Sequence, residues 1–141
     1  MTNMEMSEGL LRQAIARRKM ITIALEDGNF AYAVRLSQEC VELALKALLI
    51  ATGIDPPKWH DVGKVLRDNV AKLPSSVREM VNEISDASAK LRADRERSMY
   101  GDDALGLPPD RIYSESEAKR ALAWSEMVLS TCRQGIGDLV R

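Results

Sequence analysis

The sequence predicts an all-α protein: an antiparallel up-and-down four-helix bundle with a short extra helix between helices two and three. Apolar residues recur at helical spacing over four long stretches, and glycine, proline and capping residues separate them. The 141 residues include only two Trp, three Tyr and one Phe, so the core must come from aliphatic side chains and Met. Helices accept such a core more readily than a β-sandwich does. One domain, residues 1–141, is expected, because a chain of this length buries about two thirds of its unfolded surface around one core.

The first two helices are predicted from their apolar spacing and the turn between them. Helix one should run from Ser7, its N-cap, to about Leu25. Residues 27–29, Asp-Gly-Asn, interrupt the pattern. Helix two should then begin at Phe30 and end at Gly53, with two prolines beyond. Because the connecting turn is short, we expect the two helices to pack antiparallel.

A short helix is predicted after the proline pair. Asp61 would cap it, and its apolar residues would face inward. The inward-facing residues are Val62, Val65 and Leu66. His60 is expected to join Asp61 in tying the preceding loop to this helix.

The third long helix is predicted to begin at a serine, 75 or 76, and to stop at Gly101. Its apolar line, continued in helical phase, reaches Arg95, which should therefore point inward, whereas Arg97 and Tyr100 lie on other faces. Two interpretations of Arg95 stay open. It can bond the last carbonyls of the helix, or it can offer its planar guanidinium to a phosphate.

The segment "GDDALGLPPDRIY" predicts an irregular loop, a kind of segment that is often functional in compact domains. Ser114 and Glu117 then form a capping box that opens helix four. Gly135 and Gly137 are predicted to release the chain from this helix.

Composition excludes several classes of protein. The net charge of -1 leaves no global basic field for nucleic acid, so any RNA contact must be local. Cys40 and Cys132 lie in apolar stretches without a secretory segment and are predicted to be reduced, buried thiols. With His60 as the only histidine and no glycine-rich phosphate loop, neither a metal nor another cofactor is expected. No apolar run approaches the roughly 20 residues that span a bilayer, so we expect a cytoplasmic protein without membrane contact.

Glu42 and Lys46 stand four residues apart on helix two and flank its apolar stripe. They are either an ordinary ion pair, worth a few tenths of a kcal/mol, or the border of a cleft.

Three stretches resemble the HEPN family. "AYAVRLSQECVELALKALLIATGIDPPKWHDVGKVL" is similar to its helix-two region, and "YSESEAKRALAWSEMVL" to its final helix. "RERSMYGDD" resembles the end of its third helix, an arginine followed five positions later by tyrosine, which selects Arg95 and Tyr100. Arg97 stays open as the counterpart of that arginine, although the helical phase favours Arg95. The residues that match the helix-two pattern are Glu42, Lys46, Ala47, Leu48, Gly53, Pro56, His60 and Asp61.

The resemblance implies a helical homodimer that brings two arginine regions together across a shared cleft. Many HEPN proteins are metal-independent RNases with an Arg-x4-6-His motif. Others are toxins whose partner, a small nucleotidyltransferase, modifies a tyrosine near that motif, and the family name proposes nucleotide binding. Arg95 and Tyr100 are the catalytic candidates that the resemblance implies. The ligand-binding candidates are Arg95, Arg97, Asp102, Glu42, Lys46 and His60.

The chain departs from the family motif where histidine should stand. The positions counted from Arg95 hold Tyr100, Gly101 and Asp102 instead, and tyrosine is a poor general base at neutral pH. We therefore expect a non-catalytic or weakly catalytic homodimer that binds a nucleotide or RNA phosphate and is paired with a minimal nucleotidyltransferase. The alternative is an RNase toxin that uses Arg95 with His60, Tyr100 or an acidic residue. A third hypothesis is a structural interaction module in which Arg95 only caps its helix.

Overall fold

A computed structural model describes residues 2–58 and 62–140, and this part of the chain is helical without a named β-strand. The helices form one hydrophobic core to which α1, α2, α5 and α7 contribute most. None of the described helices is long and apolar enough to cross a membrane. Single turns of 3-10 helix occupy Val70–Lys72 and Pro109–Arg111. The α-helices are α1 (Asn3–Glu26), α2 (Phe30–Ala51), α3 (Val62–Asp68), α4 (Ser75–Arg78), α5 (Val81–Ala93), α6 (Arg97–Tyr100) and α7 (Glu115–Leu139).

Helix α1 begins earlier than predicted. Thr2 is its N-cap and forms a capping box with Glu5: the threonine hydroxyl accepts from the Glu5 amide at 3.1 Å, and the Glu5 carboxylate accepts from the Thr2 amide at 3.1 Å. The prediction of Ser7 as N-cap is wrong. Ser7 is fully buried, and its hydroxyl donates to the Ala47 carbonyl of α2 at 2.7 Å. It therefore joins two helices, while the complete capping box upstream starts the first one.

Helix α2 has the predicted bounds and lies at the centre of the core. Its N-cap, Asn29, accepts from the Tyr32 amide at 3.2 Å, and Gly53, with φ of +77°, lies just beyond its end. Thirteen of its 22 residues are buried. Because α1, α5 and α7 all pack against it, α2 is the helix on which the walls of any site depend.

The prediction of one continuous third helix is wrong, although its apolar residues are buried as expected. The segment consists of α4, α5 and α6, with Pro74 and no serine at the N-cap of α4. Between α5 and α6, one side-chain and one backbone group bond to distant parts of the chain: the Asp94 carboxylate accepts from the Tyr113 hydroxyl at 2.9 Å, and the Arg95 carbonyl accepts from Arg35 Nη1 at 3.0 Å. These contacts favour a turn over further helix. The buried apolar residues of the segment are Val77, Val81, Ile84, Ala87 and Leu91.

Helix α7 begins at the predicted capping box, in which Ser114 accepts from the Glu117 amide at 3.2 Å. It does not end at Gly135 or Gly137, as predicted, but continues to Leu139. A Cβ at position 135 would lie 2.4 Å from Cγ2 of Val77. Gly135 therefore allows α4 to approach α7 closely, and its role is packing.

The short helix α3 confirms the predicted extra element. Leu66 is fully buried, while Val62 and Val65 pack against the core and are half-buried. The predicted cap, Asp61, lies outside the described residues. The loop at 101–113 is irregular as predicted, with one isolated bridge between Asp102 and Leu107.

Both cysteines are buried and free, as the apolar sequence around them predicted. Burial raises the pKa of the Cys40 thiol to about 12, against the weaker opposing effect of nearby arginines. Burial raises the pKa of Cys132 as well. The two thiols therefore stay protonated at neutral pH.

Candidate functional site

A cleft of about 500 Å³ opens between α2, α5 and the segment that follows α2. Its walls combine aliphatic side chains with charged groups. The apolar walls consist of Val41, Leu45, Leu49, Pro56, Pro57, Val62 and Leu91. An apolar pocket with a few polar groups is the usual form of a ligand site in proteins.

Glu42 and Lys46 both border this cleft and are exposed to solvent. They do not form the ion pair that their spacing allowed. Glu42 Oε2 accepts instead from Nε2 of Gln38, one turn earlier on α2, at 2.7 Å. Among the residues that the structure describes, the Lys46 ammonium has no ion-pair partner. Of the two interpretations of this pair, the structure favours the cleft border.

Arg95 lines the same cleft from the turn between α5 and α6. It is exposed at the rim, so the prediction that it points into the helical core is wrong. The reason is the end of α5 at Ala93, which breaks the helical phase on which that prediction depended. The turn itself is held through the Arg95 carbonyl, to which Arg35 donates. The Arg95 guanidinium, in contrast, has no hydrogen-bond or ion-pair partner within residues 2–58 and 62–140.

The structure separates the remaining candidates from this cleft. Arg97 lies beside two carboxylates, with Nη1 4.0 Å from Asp94 Oδ1 and Nη2 3.7 Å from Asp102 Oδ2. Asp102 also accepts from the Leu105 amide at 3.1 Å, which orders the loop. Tyr100 is 73% exposed and lines neither of the described cavities. His60 lies outside the described residues.

Sequence reasoning missed four polar residues of the cleft: Gln38, Lys58, Ser88 and Arg92. Gln38 is only 4% exposed, and its Oε1 is buried without a hydrogen-bond donor in the described part of the chain. Because a carboxylate can only accept, the bond from Nε2 to Glu42 identifies Oε1 as the atom that lacks a partner. The spacing of four residues between Gln38 and Glu42 was a usable signal. Lys58 offered no such sequence signal, because its position depends on how the chain folds after α2.

The cleft is electropositive although the chain as a whole is not. Among the described residues that line it, Lys46, Lys58, Arg92 and Arg95 supply four positive charges against the one carboxylate of Glu42, a difference of three. The whole chain has a net charge of -1. Such a concentration attracts an anion. No group of three or more metal-binding side chains occurs among the described residues.

A second cavity, of about 450 Å³, lies around Trp124. Lys90 Nζ and the Arg120 guanidinium each lie 5.3 Å from the centre of its ring. Carboxylates of Asp94 and Glu117 line the same cavity, so its charges are mixed. Lys90 is in addition paired with an aspartate on α5. This cavity lacks the one-sided charge of the first.

The fold and the cleft define an all-helical domain with a cationic site between its second helix and the broken third segment. Residues 7–135 match the family model described as HEPN domain, and the chain belongs to this family. Two crystal structures have the same fold: TT1696 from Thermus thermophilus and ST0689, an archaeal HEPN homologue. Each is 23% identical to this chain with a TM-score of 0.69, and each match covers 92% of this chain and 97% of the other. The search of curated proteins yields no match.

Proposed function

We propose that this HEPN protein is a homodimer that binds a nucleotide or RNA phosphate in the Arg95 cleft and has little or no catalytic activity. The observation that carries the proposal is the set of four cations around apolar walls in a chain of net charge -1. The proposal includes one domain over 1–141, in an up-and-down four-helix arrangement, in a cytoplasmic protein. In the dimer, two Arg95 clefts would face a common ligand.

The cleft offers a different contact to each part of such a ligand. The planar guanidinium of Arg95 suits two oxygens of one phosphate, while the Lys46 ammonium acts as a point charge. Aliphatic walls at Val41, Leu45 and Leu49 suit the face of a base or sugar. A ligand group that donates to Gln38 Oε1 would supply the partner that this buried oxygen lacks.

The nucleotidyltransferase partner of the proposal would act on Tyr100. The Tyr100 hydroxyl would attack the α-phosphate of a nucleoside triphosphate and release pyrophosphate, and the phenolic proton would pass to solvent. The side chain is 73% exposed, so a partner enzyme could reach it without unfolding the domain. Together the two proteins would form a toxin–antitoxin-like pair.

A metal-independent RNase is the second candidate, and the position of Glu42 is the observation that favours it. This carboxylate shares the cleft with Arg95. It could accept the proton of an RNA 2′-hydroxyl while Arg95 holds the phosphate that the hydroxyl oxygen attacks. The bond from phosphorus to the 5′ oxygen would then break, which leaves a 2′,3′-cyclic phosphate, and the departing 5′ oxygen would take a proton from water. Gln38 would hold the carboxylate through Oε2.

The test is binding of fluorescent single-stranded RNA and of ATP in EDTA, with Arg95→Ala and Arg97→Ala as matched variants. Loss of a charge-assisted contact costs about 1.5–3 kcal/mol, so Arg95→Ala should weaken binding about tenfold or more. Arg97→Ala removes the same charge two residues away and should leave binding within about twofold. Equal losses in both variants, or no binding by the parent protein, would refute the proposal.

The same samples separate the two candidate functions. Intact RNA on a gel after long incubation is the expected result, with or without Arg95. Cleavage in EDTA that disappears in both Arg95→Ala and Glu42→Gln would establish the RNase. Co-expression with a neighbouring nucleotidyltransferase, followed by mass spectrometry of the Tyr100 peptide against a Tyr100→Phe control, tests the partner.

A further inference from the structure

Arg35 reaches the Arg95 turn from α2, on the same helical face as Glu42 but seven residues nearer the start of the helix. Its Nη1 donates to the Arg95 carbonyl at 3.0 Å across a separation of 60 residues. Its Nε is buried and lies 3.3 Å from Glu39 Oε2. The side chain is 19% exposed and does not line the cleft. Arg35 therefore contacts the backbone of the candidate phosphate-binding residue but not the space in which a ligand would lie.

Glu39 extends this contact to the first helix. Its Oε1 lies 3.7 Å from Nε of Arg17, and its Oε2 balances the charge of Arg35. The chain of charges runs from α1 through α2 to the turn at residues 94–96. Nη1 of Arg35 donates to the Arg95 carbonyl, while Nε is within ion-pair distance of Glu39 without a hydrogen bond to it, and together the two contacts keep the guanidinium at the turn.

The Arg95 turn needs such support because its carbonyl has no helical partner. In the described part of the chain this carbonyl accepts only from side chains, Arg35 at 3.0 Å and the Ser98 hydroxyl at 3.3 Å. The amide of Met99, which would bond it in a continuous helix, donates to Glu96 instead. The contact from Arg35 is the shorter of the two and also carries charge.

We infer that Arg35 is a positioning residue: it holds the backbone of Arg95 so that the guanidinium stands in the cleft and is ready for a phosphate. This role rests on the proposed function. Positioning lowers the cost of binding because a side chain on a fixed backbone loses less conformational freedom when the ligand arrives. Arg35 itself makes no contact with the ligand.

The experiment is a double-mutant cycle with fluorescein-labelled oligouridylate as the probe, in the full-length protein. The variants are Arg35→Gln, Arg95→Ala and the two combined. Arg18→Gln is the matched control, because Arg18 is paired with Glu126 between α1 and α7, away from the turn. Arg35→Lys is a second variant that keeps the charge beside Glu39. Thermal unfolding of each variant identifies any that fails to fold.

We expect Arg35→Gln to weaken binding about fivefold, the effect of one lost hydrogen bond, and Arg18→Gln to change it less than about twofold. The combined variant should bind no more weakly than Arg95→Ala. Arg35 acts only by positioning the Arg95 side chain, so its loss has no further effect once that side chain is absent. The slope of log Kd against log salt should fall by about 0.7 in Arg95→Ala and stay unchanged in Arg35→Gln.

Three results would overturn the inference, and they differ from one another. If Arg95→Ala weakens binding but Arg35→Gln and Arg35→Lys match the Arg18→Gln control, the positioning role of Arg35 is refuted. The proposed function is then still supported. If the losses of Arg35→Gln and Arg95→Ala add, or the salt slope falls in Arg35→Gln, Arg35 acts independently of Arg95. If Arg95→Ala binds like the parent protein, the proposed function falls, and the role of Arg35 falls with it.

Discussion

Arg95 and Arg97 stand two residues apart and have opposite surroundings. Arg97 lies between the carboxylates of Asp94 and Asp102. Arg95 faces a cleft with other cations, and no carboxylate of a described residue lies within ion-pair distance of it. We call the surroundings of Arg97 the Arg97 side; they also include the hydrogen bond that the Tyr113 hydroxyl donates to Asp94. The cleft that Arg95 lines is called the Arg95 side. Of these two arginines, Arg97 alone has ion-pair partners among the described residues.

This difference indicates which side is available to bind. A paired arginine offers little to a ligand because the ligand must first displace its carboxylates. Lys46 and Arg95 share the cleft without an ion-pair partner among the described residues, and their mutual repulsion is a cost that proteins commonly accept at functional sites. The Arg97 side therefore orders the loop, and the Arg95 side is where we expect function. Three changes test this division further, in order of decreasing effect.

Gly101→Ala should disrupt the Arg97 side most. Gly101 has φ of +86°, and a Cβ there would lie 2.3 Å from the Leu107 carbonyl oxygen. Strain together with the displaced loop should cost about 2–3 kcal/mol of the free energy of unfolding. Urea denaturation measures this loss. Gly106→Ala is the matched control, with φ of +66° but open space around its Cβ, and it should cost about 1 kcal/mol. Equal losses would show that the close approach to Leu107 does not matter.

Tyr113→Phe should have an intermediate effect and change the pH dependence of stability. Burial, and then the hydrogen bond to Asp94, raise the pKa of Tyr113 above its ordinary value of 10.0. A pKa that is higher in the folded state gives a stabilisation that is complete below pH 10 and is lost as the pH rises above it. The variant should be about 1 kcal/mol less stable at neutral pH.

The difference in the free energy of unfolding between the parent protein and Tyr113→Phe should shrink above pH 10. The parent then loses the stabilisation from its protonated Tyr113 hydroxyl, which the variant lacks at every pH. Unfolding in urea at several pH values measures this difference, in which the contributions of the buried cysteines cancel. A difference that stays constant from neutral pH to above pH 10 would contradict the prediction.

Glu42→Gln should have the smallest effect, on the Arg95 side. Removing the one carboxylate among the described lining residues raises their net positive charge from three to four. Binding of RNA or ATP should become about twofold tighter at low salt, and the gain should vanish at high salt, because exposed charges are screened. Glu83→Gln makes the same change on α5 outside the cleft and should leave the affinity unchanged. If both variants bind more tightly, the affinity depends on the net charge of the whole protein and not on the charge of the cleft.

Local sequence signals predicted most of the fold. The capping box at Ser114, the apolar stripe of α2 and the break at 27–29 depend on neighbouring residues alone, and the structure confirms each. The start of α1 was missed although Thr2 and Glu5 carry the same local capping signal as Ser114 and Glu117. Three other failures share one physical cause. Ser7, Gly135 and the Arg95 turn each take their role from a residue distant in the chain, namely Ala47, Val77 and Arg35. Local patterns carry no information about such contacts.

The candidate site divides in the same way. The sequence by itself determined the helical class and the family, and it placed Arg95, Glu42 and Lys46 among the candidates, because side-chain periodicity and short motifs are encoded locally. Only the tertiary structure showed that Arg97 is paired while Arg95 lines the cleft, and it added Gln38, Lys58, Ser88 and Arg92 to that cleft. Whether a charge is paired depends on which elements the fold brings within a few ångströms of it. That is a property of the packed chain and of no single segment.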